Sequence, residues 1–414
     1  MEYEITLTTF TYGGEALGRL DDGRAVFVPF GLPGENIRVR LTQEKKNFAR
    51  GEIVEILESS PDRIDAKCKH FAECGGCHYQ NLPYEKQLEA KTDILADQLK
   101  RIGKIDNPPV RPMVACSNPW NYRNHVQFSL TENGKLGYVS HRPVGEMPSV
   151  RGEVIPITEC HLPETAINNF WPQLDFEAAT NIERVSLRTG VDGDLMLVLE
   201  SESPEPPELE IEAGISVIHL YAGNTVVMAG SDHIVMDILG RDFKVSAASF
   251  FQVNTEMAGK MVEYLMAQLP ISRSTVLLDV YCGVGLFSAF FAPKCKTVIG
   301  IEVSESACED FTINLDEFDN VELYEAEAQA VIPHLDAKPD IVLVDPPRAG
   351  LDKAVVDGLL KMAPSHVAYI SCDPSTLARD AARLANGGYR LKEVTPFDLF
   401  PQTYHIESIS IFER

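Results

Sequence analysis

The chain has no long apolar run, and it is poor in positive charge. No stretch of the 414-residue chain approaches the roughly 18 consecutive apolar residues that a membrane span needs, and the N-terminal stretch 1–10 has no basic region followed by an apolar one. Lys and Arg total 37 against 61 Asp and Glu, a formal net charge of −24. We therefore expect a soluble cytoplasmic protein without membrane contact, in which local basic patches make any contact with nucleic acid.

The nine cysteines are odd in number and unevenly spaced, which argues against the disulfide framework of a secreted protein. Cys68, Cys74 and Cys77 form a C-x5-C-x2-C cluster whose two glycines let the thiolates converge. Clustered cysteines in a cytosolic chain more often bind metal, whereas an isolated one such as Cys372 can be catalytic.

The length exceeds one ordinary hydrophobic core, so we expect two or three domains. Residues 1–58 show short strands with glycine turns, which favours a small barrel of the OB type. Residues 59–250 hold the cysteine cluster, a helix from Pro83 to about Ile102 and a mostly strand-like pattern. In residues 251–414, strands alternate with helices as in a doubly wound parallel α/β sheet. The apolar face expected for the helix comprises Tyr84, Leu88, Leu95, Leu99 and Ile102.

Residues 38–50 of the barrel gather cations around one aromatic side chain, as a surface that follows phosphates and stacks on bases would need. A solvated hairpin tip is an equally good interpretation. The residues concerned are Arg38, Arg40, Lys45, Lys46, Phe48 and Arg50.

A nucleoside site is predicted where the first strand of the α/β region ends, in DVYCGVGLFS (residues 279–288). Gly283 and Gly285 let the backbone approach a ligand, and Glu302, about 20 residues on, can bind both ribose hydroxyls. An NAD site would place a third glycine at Ser288 and a pyrophosphate at the helix start, so an adenosine cofactor without phosphates fits better. The alternative is a tight turn with a solvated glutamate.

Cys372 stands where a buried strand passes into a helix, in YISCDPSTLARD (residues 369–380). Ser375 and Thr376 are good N-cap residues. Ligands of open α/β sheets bind beyond the carboxyl ends of the strands, where a helix start stabilises a thiolate. The alternative is an inert buried cysteine.

Several separated motifs carry a family resemblance. DVYCGVGLFS with Glu302 resembles S-adenosylmethionine-dependent methyltransferases, which have a Rossmann-like fold. DPPRAG (345–350), the stretch around Cys372, HIESISIFER (405–414) and SFFQVN (249–254) resemble the RNA uracil-5 methyltransferases, which make 5-methyluridine in tRNA and 23S ribosomal RNA. The N-terminal barrel resembles the TRAM domain of that family.

The resemblance implies that the Cys372 thiolate adds to carbon 6 of uracil, so that carbon 5 can attack a methyl group. It implies that Glu407 then removes the carbon 5 proton; His405 is the rival base, since its usual pKa suits neutral pH. It places Asp345 on either the cofactor or the uracil. The cofactor residues that it implies are Gln252, Tyr281, Gly283, Gly285, Glu302 and Asp345.

The resemblance also makes Cys160 the fourth ligand of a four-iron, four-sulfur cluster, together with Cys68, Cys74 and Cys77. Tetrahedral zinc stays open, because His70 and His78 stand beside these cysteines. We expect a structural or RNA-positioning role for the cluster, since methyl transfer needs no redox step. Basic residues flanking it could form a local RNA track; they are Lys67, Lys69, His70, Arg123, His125, His141 and Arg142.

The expected substrate is a uridine of 23S ribosomal RNA, with a tRNA T-loop uridine as the alternative, and the expected assembly is a monomer. Two rival functions are a DNA cytosine methyltransferase, which uses the same thiol addition, and a non-catalytic RNA-binding or iron-sulfur protein on a methyltransferase scaffold.

Overall fold

The N-terminal region is a closed five-stranded barrel with strand order β1-β2-β3-β5-β4. The structure, a computed structural model, describes residues 2–141, 153–178, 181–210 and 214–414. Alternate side chains of the strands point inward, and the apolar ones fill the barrel core. The predicted small OB-type barrel is confirmed. Its strands are β1 (Glu2–Phe10), β2 (Glu15–Arg19), β3 (Ala25–Pro29), β4 (Asn36–Glu44) and β5 (Phe48–Glu58).

The cations predicted for an RNA surface on β4 and β5 are largely occupied by the barrel's own carboxylates. Arg38 pairs with Glu55 at 2.6 Å and Arg40 with Glu2 at 2.9 Å. Arg50 pairs with Glu15 at 3.1 Å. Cross-strand register places acidic residues directly opposite Arg38 and Arg40, whereas Arg50 lies opposite Gln43. These ion pairs favour the solvated-hairpin interpretation for the arginines. Lys45 and Lys46 at the tip are exposed.

The central region contains helix α1 (Tyr84–Arg101) and a seven-stranded sheet. Helix α1 buries Leu95 and Leu99 as predicted, but Ile102 is 40% exposed. The sheet has the order β12-β11-β10-β9-β6-β7-β8, and a separate hairpin, β13-β14, follows it. The elements are β6 (His125–Leu130), β7 (Leu136–Val139), β8 (Val154–Pro156), α2 (Thr165–Phe170), β9 (Ile182–Thr189), β10 (Leu195–Ser201), β11 (Ser216–Tyr221), β12 (Asn224–Ala229), β13 (His233–Ile238) and β14 (Arg241–Ser246).

The C-terminal region is a second seven-stranded sheet with helices between its strands, and its order is β17-β16-β15-β18-β19-β21-β20. Strand order reverses between β15 and β18, and ligands of open α/β sheets bind at such a point. The elements are α3 (Thr255–Gln268), β15 (Val276–Val280), α4 (Leu286–Phe291), β16 (Thr297–Glu302), α5 (Glu305–Asn314), β17 (Val321–Glu325), α6 (Ala328–Val331), β18 (Ile341–Val344), α7 (Lys353–Met362), β19 (His366–Ser371), α8 (Pro374–Asn386), β20 (Arg390–Phe397) and β21 (Glu407–Glu413).

The predicted α/β sheet is confirmed, with one correction at its edge. Strand β20 was not predicted, and β21 runs antiparallel to both β19 and β20. A parallel arrangement of β20 and β21 would require a crossover connection, usually a helix, and the segment between them contains no helix. The last strand therefore enters the sheet in the opposite direction.

The central and C-terminal sheets share apolar packing. One buried cluster contains Met196 and Ile218 of the central sheet together with Met257 of α3 and Leu277 of β15. The division of the chain into domains 1–58, 59–250 and 251–414 stays a prediction. Among the helices that the structure describes, none is long and apolar enough to cross a membrane.

Candidate active site and cysteine-lined cavity

Cys372 and Glu407 lie opposite each other at one edge of the C-terminal sheet. In the antiparallel ladder Ser371, the last residue of β19, pairs with Ser408, so Cys372 follows β19 at the level of Glu407, the first residue of β21. The charge of Glu407 acts on the Cys372 thiol. The Cys372 side chain is half-buried, and Glu407 is 8% exposed. The thiol is therefore neither sealed in the core nor remote from the last strand's carboxyl.

The thiol is held in its neutral form. Burial raises the pKa of Cys372 to about 12, and the carboxyls of Glu407 and Asp345 add to this effect, while Arg348 opposes it. The helix start does not offset the burial, because the N-cap of α8 is Asp373 and not Ser375 or Thr376 as predicted.

The side chain of Asp373 caps the N-terminus of helix α8 by accepting hydrogen bonds from its first free backbone N–H groups. One of its carboxylate oxygens accepts hydrogen bonds from the backbone N–H of Ser375 at 2.8 Å and of Thr376 at 3.0 Å. These donors are the ones that were expected to stabilise a thiolate. A thiolate favoured by the helix start stays a prediction, and the raised pKa of Cys372 argues against it in the free protein.

Several carboxyl groups lie close together at this edge of the sheet, and their pKa values are raised. Burial raises the pKa of Asp345 to about 7, with contributions from Asp279 and Glu302. Burial likewise raises the pKa of Asp279 to about 6 and that of Glu407 well above its usual value, with Asp345 as the next cause for Glu407. The structure thus brings Cys372, Glu407, Asp345 and Glu302 into one electrostatic neighbourhood.

The turn after β15 contains both predicted glycines, for different reasons. Tyr281, Gly283 and Gly285 all have positive φ angles, of 66°, 54° and 90°. A Cβ on Gly283 would meet only open space, whereas one on Gly285 would overlap with Cδ1 of Leu315. Gly283 leaves room over the turn for a ligand, and Gly285 allows close packing between helices.

Glu302 closes this turn from the neighbouring strand. One carboxylate oxygen accepts a hydrogen bond from the N–H of Gly283 at 3.0 Å, and the other accepts from Val303 at 2.7 Å and Ser304 at 2.8 Å. A ribose at this site would therefore meet a carboxylate whose orientation is already set.

Gln252 lies in the segment 247–254 that leads into α3. Its backbone carbonyl accepts a hydrogen bond from Nδ2 of Asn124 at 2.9 Å. Two buried residues hold the same segment at Ser249: Asp310 accepts from the hydroxyl at 2.6 Å, and Arg188 donates to the carbonyl at 3.0 Å. Between these fixed points the Phe250 side chain is 70% exposed.

His405 is a poor base in this structure. Burial lowers its pKa to about 3, with Arg348, Arg123 and Lys91 as further causes. Its ring packs between those of Tyr404 and Phe400.

The four predicted cluster cysteines come together. Cys68, Cys74, Cys77 and Cys160 line one cavity of about 50 Å³. Burial raises the pKa of all four thiols, that of Cys74 to about 11 and that of Cys77 to about 12. Within the described ranges, no group of three or more His, Cys, Asp or Glu side chains is arranged to hold a single metal ion.

Several of the flanking basic residues that the structure describes have partners within the protein or are uncharged. Arg123 lines the cysteine cavity and stacks over the ring of Phe400, 5.7 Å from its centroid. Burial lowers the pKa of His125 to about 3, which leaves it neutral. Lys67 lies over the Trp120 ring at 4.9 Å. Arg142 falls outside the residues that the structure describes.

The histidines considered as zinc ligands have other partners. Nε2 of His70 accepts a hydrogen bond from the backbone N–H of Thr158 at 3.0 Å. His78 is buried with its ring against Tyr404, and burial lowers its pKa to about 3.

Three polar residues on the buried face of α1 were not predicted from the sequence. Gln87, Lys91 and Gln98 are all buried, and Lys91, which is 0% exposed, forms a 2.6 Å ion pair with Asp398, also 0% exposed. These three residues are spaced so that they lie on the same helix face as the buried Ile94 and Leu95. This spacing is the sequence signal that could have identified them as buried. Polar residues on an apolar stripe indicate buried hydrogen-bond partners.

Comparisons with known proteins agree with this geometry. The sequence profile of the tRNA (uracil-5-)-methyltransferase family matches residues 213–414, and that of the TRAM domain matches residues 1–54. An uncharacterized RNA methyltransferase of Halalkalibacterium halodurans is 33% identical, with 99% of this chain and 96% of the relative covered. Another from Aquifex aeolicus is 35% identical, with 99% and 98% covered.

Among solved structures, the tRNA (uracil-54, C5)-methyltransferase of Pyrococcus abyssi, in complex with S-adenosyl-L-homocysteine, has the same fold. The TM-score is 0.73 at 24% identity, and 99% of each chain is covered. Together with the profiles and the full-length relatives, this confirms the predicted fold and a methyltransferase acting on RNA. The chain belongs to the tRNA (uracil-5-)-methyltransferase family of RNA methyltransferases and carries an N-terminal TRAM domain.

Proposed function

We propose that this protein transfers a methyl group from S-adenosylmethionine to carbon 5 of a uridine in RNA. The observation that carries the proposal is the position of Cys372 opposite Glu407, beside Asp345, at the carboxyl edge of the sheet. We retain 23S ribosomal RNA as the substrate. A tRNA uridine is the second candidate, because the matching profile and the P. abyssi enzyme carry tRNA in their names.

Cys372 supplies the nucleophile. After the thiol gives its proton to solvent water, the sulfur bonds to carbon 6 of the uracil, and the electron pair of the 5,6 double bond passes into an enolate. Carbon 5 of this enolate takes the methyl group, and the sulfur that carried the methyl group keeps the electron pair of the broken bond. Burial raises the pKa of both Cys372 and Glu407, and the positive charge of Arg348 opposes this rise, so Arg348 favours the thiolate.

Glu407 completes the reaction. As a carboxylate it takes the proton from carbon 5; the electron pair of that bond restores the double bond, and the Cys372 thiolate leaves. A carboxylate whose pKa is raised by burial is a stronger base than an exposed one, which suits this step.

The residues fit the cofactor. Gly283 leaves open space over the turn, Glu302 offers an oriented carboxylate, and the acidic edge suits a cation. S-adenosylmethionine, when bound, supplies the methyl group on a positively charged sulfur. We propose that Gln252, Tyr281, Gly283, Gly285, Glu302 and Asp345 hold it.

We also propose a four-iron, four-sulfur cluster on Cys68, Cys74, Cys77 and Cys160. Four thiols around one cavity supply the ligands. Burial raises the pKa of Cys77 and Cys160, and the positive charge of Arg123 beside them opposes part of that rise. Zinc is the alternative. Anaerobic purification followed by iron, sulfide and zinc analysis separates the two, and iron with sulfide is expected.

The reaction is tested with the purified protein, S-adenosylmethionine and transcripts of 23S ribosomal RNA and tRNA. Mass spectrometry is expected to find 5-methyluridine at one position, and Cys372→Ala is expected to abolish it. Cys295→Ala, which removes a buried thiol elsewhere in the sheet region, is the matched control. Full methylation by Cys372→Ala, or none by the wild type on either RNA, would refute the proposal.

A further inference from the structure

The connection between β20 and β21, residues 398–406, leads directly into Glu407 and is held by elements far away in the sequence. Lys91 of α1 forms the buried ion pair with Asp398 and donates a second hydrogen bond to the carbonyl of Phe400 at 3.0 Å. The hydroxyl of Tyr122 donates to the carbonyl of Pro401 at 3.0 Å. The start of this connection is therefore fixed from outside the C-terminal sheet.

Gln402 is the most constrained residue of this connection. It is 3% exposed and has a φ of 69°, a conformation that a non-glycine residue keeps only where its surroundings impose it. Its carbonyl accepts from the backbone N–H groups of His78 at 2.8 Å and Tyr79 at 3.1 Å. These are the two residues that follow Cys77.

Gln87 of α1 joins the two segments. Its Oε1 accepts from the N–H of Gln402 at 3.0 Å, and its Nε2 donates to Oε1 of Gln402 at 3.0 Å. The same Nε2 donates to the carbonyls of Tyr79 at 3.0 Å and Leu82 at 2.9 Å. Gln87 is 1% exposed, so each lost hydrogen bond would leave a buried group unsatisfied.

The thiol side of the site has a different support. The turn that carries Cys372 is fixed by the Asp373 cap and by a hydrogen bond from Tyr12 to Asp373 at 2.9 Å. Gln87 touches the connection that enters Glu407, and its hydrogen bonds do not include the Cys372 turn.

We propose that Gln87 is a positioning residue for Glu407, acting through Gln402, and that it ties the position of the base to the segment after Cys77. This inference rests on the proposed function. Loss of Gln87 slows removal of the carbon 5 proton and release of Cys372, while addition of Cys372 to uracil proceeds. The methylated RNA then remains bonded to the protein.

The test compares Gln87→Leu with Gln98→Leu, the same change on another buried glutamine of α1 whose Oε1 contacts Ser375 instead of the connection. Active sites are first titrated with 5-fluorouridine RNA, on which the adduct cannot lose a carbon 5 proton. With ordinary RNA and S-adenosylmethionine, the denaturant-stable protein–RNA complex is measured at steady state. Gln87→Leu is expected to raise its fraction about tenfold or more, since a small misplacement of a catalytic group has effects of that size.

Glu407→Gln is expected to accumulate the same complex, and Gln98→Leu is not. Gln402→Gly, which suits the positive φ and keeps the backbone hydrogen bonds, is expected to give a smaller rise and decides the matter if Gln87→Leu fails to fold. No accumulation in any folded variant, or adduct formation that slows in parallel with methylation, would overturn the inference. If the wild type forms no adduct that depends on Cys372, the proposed function itself has failed.

Discussion

The hydroxyl of Tyr12, in the turn between β1 and β2, donates a 2.9 Å hydrogen bond to Oδ2 of Asp373, the residue after Cys372. The other carboxylate oxygen of Asp373 caps α8. A barrel of the TRAM type thus contacts the turn that carries the proposed nucleophile. The ring of Tyr12 also packs edge-on to Tyr404, at 6.0 Å between centroids.

We predict that Tyr12→Phe slows adduct formation about fivefold, because a net hydrogen bond of about 1 kcal/mol no longer restrains the Cys372 turn. Single-turnover trapping with 5-fluorouridine RNA measures this rate. Thr8→Val removes another barrel hydroxyl, one that bonds only within the barrel, and should leave the rate unchanged. An unaltered rate in Tyr12→Phe would show that this contact does not support the turn.

The pKa of Cys372 predicts how its alkylation depends on pH. With a pKa raised to about 12 by burial, Glu407 and Asp345, the thiolate fraction should grow about tenfold per pH unit between pH 7 and 9. Iodoacetamide labelling of the ligand-free protein, read by peptide mass spectrometry, should follow that slope. Arg348→Gln should lower the rate at every pH, since it removes the charge that favours the thiolate. A plateau below pH 9 would contradict this picture.

Because the pKa of Asp345 is raised in the folded state, we predict that the ligand-free protein loses stability as pH rises. Burial raises the folded-state pKa from 3.8 to about 7, so the stabilising contribution is full below pH 3.8 and is lost as pH passes through 7. The Tm should therefore fall between pH 5 and 8, and Asp279 acts in the same direction. Asp345→Asn should be more stable at pH 8, on the order of a few kcal/mol.

Thermal unfolding at several pH values measures this effect. Asp316→Asn, at an exposed aspartate, is the control and should keep the wild-type pH profile. A wild-type Tm that is flat across the range, or an Asp345→Asn variant that is no more stable at pH 8, would contradict the assignment.

Gly75 and Gly76 provide a matched test of the cysteine cavity. A Cβ on Gly75 would lie 2.5 Å from the backbone oxygen of Val139, a contact that must be relieved by moving the loop; on Gly76 it would lie 3.4 Å from Sγ of Cys74. We predict that Gly75→Ala loses most of its iron and sulfide, whereas Gly76→Ala retains both. Equal iron contents in the two variants would show that the loop against β7 does not shape the cluster site.

The sequence by itself determined the features that depend on local backbone and periodicity. Alternating apolar residues defined the barrel strands, and glycines at Gly283 and Gly285 after a buried strand located the turn of the nucleoside site. The spacing of Cys68, Cys74 and Cys77 was also recognisable, whereas Cys160 came only from the family resemblance. The strand ends at Glu302 and Asp345 were identifiable, since residues at the carboxyl ends of parallel strands meet at one edge.

Only the tertiary structure decided which distant residues meet and how strongly water is excluded from them. Antiparallel entry of β21 placed Glu407 opposite Cys372, and burial raised the pKa of a thiol that local sequence suggested would be ionised. The bonds of Gln87 to Gln402 and of Tyr12 to Asp373 join segments 315 and 361 residues apart. Register and desolvation arise from the packing of such distant segments, so no local pattern in the chain encodes them.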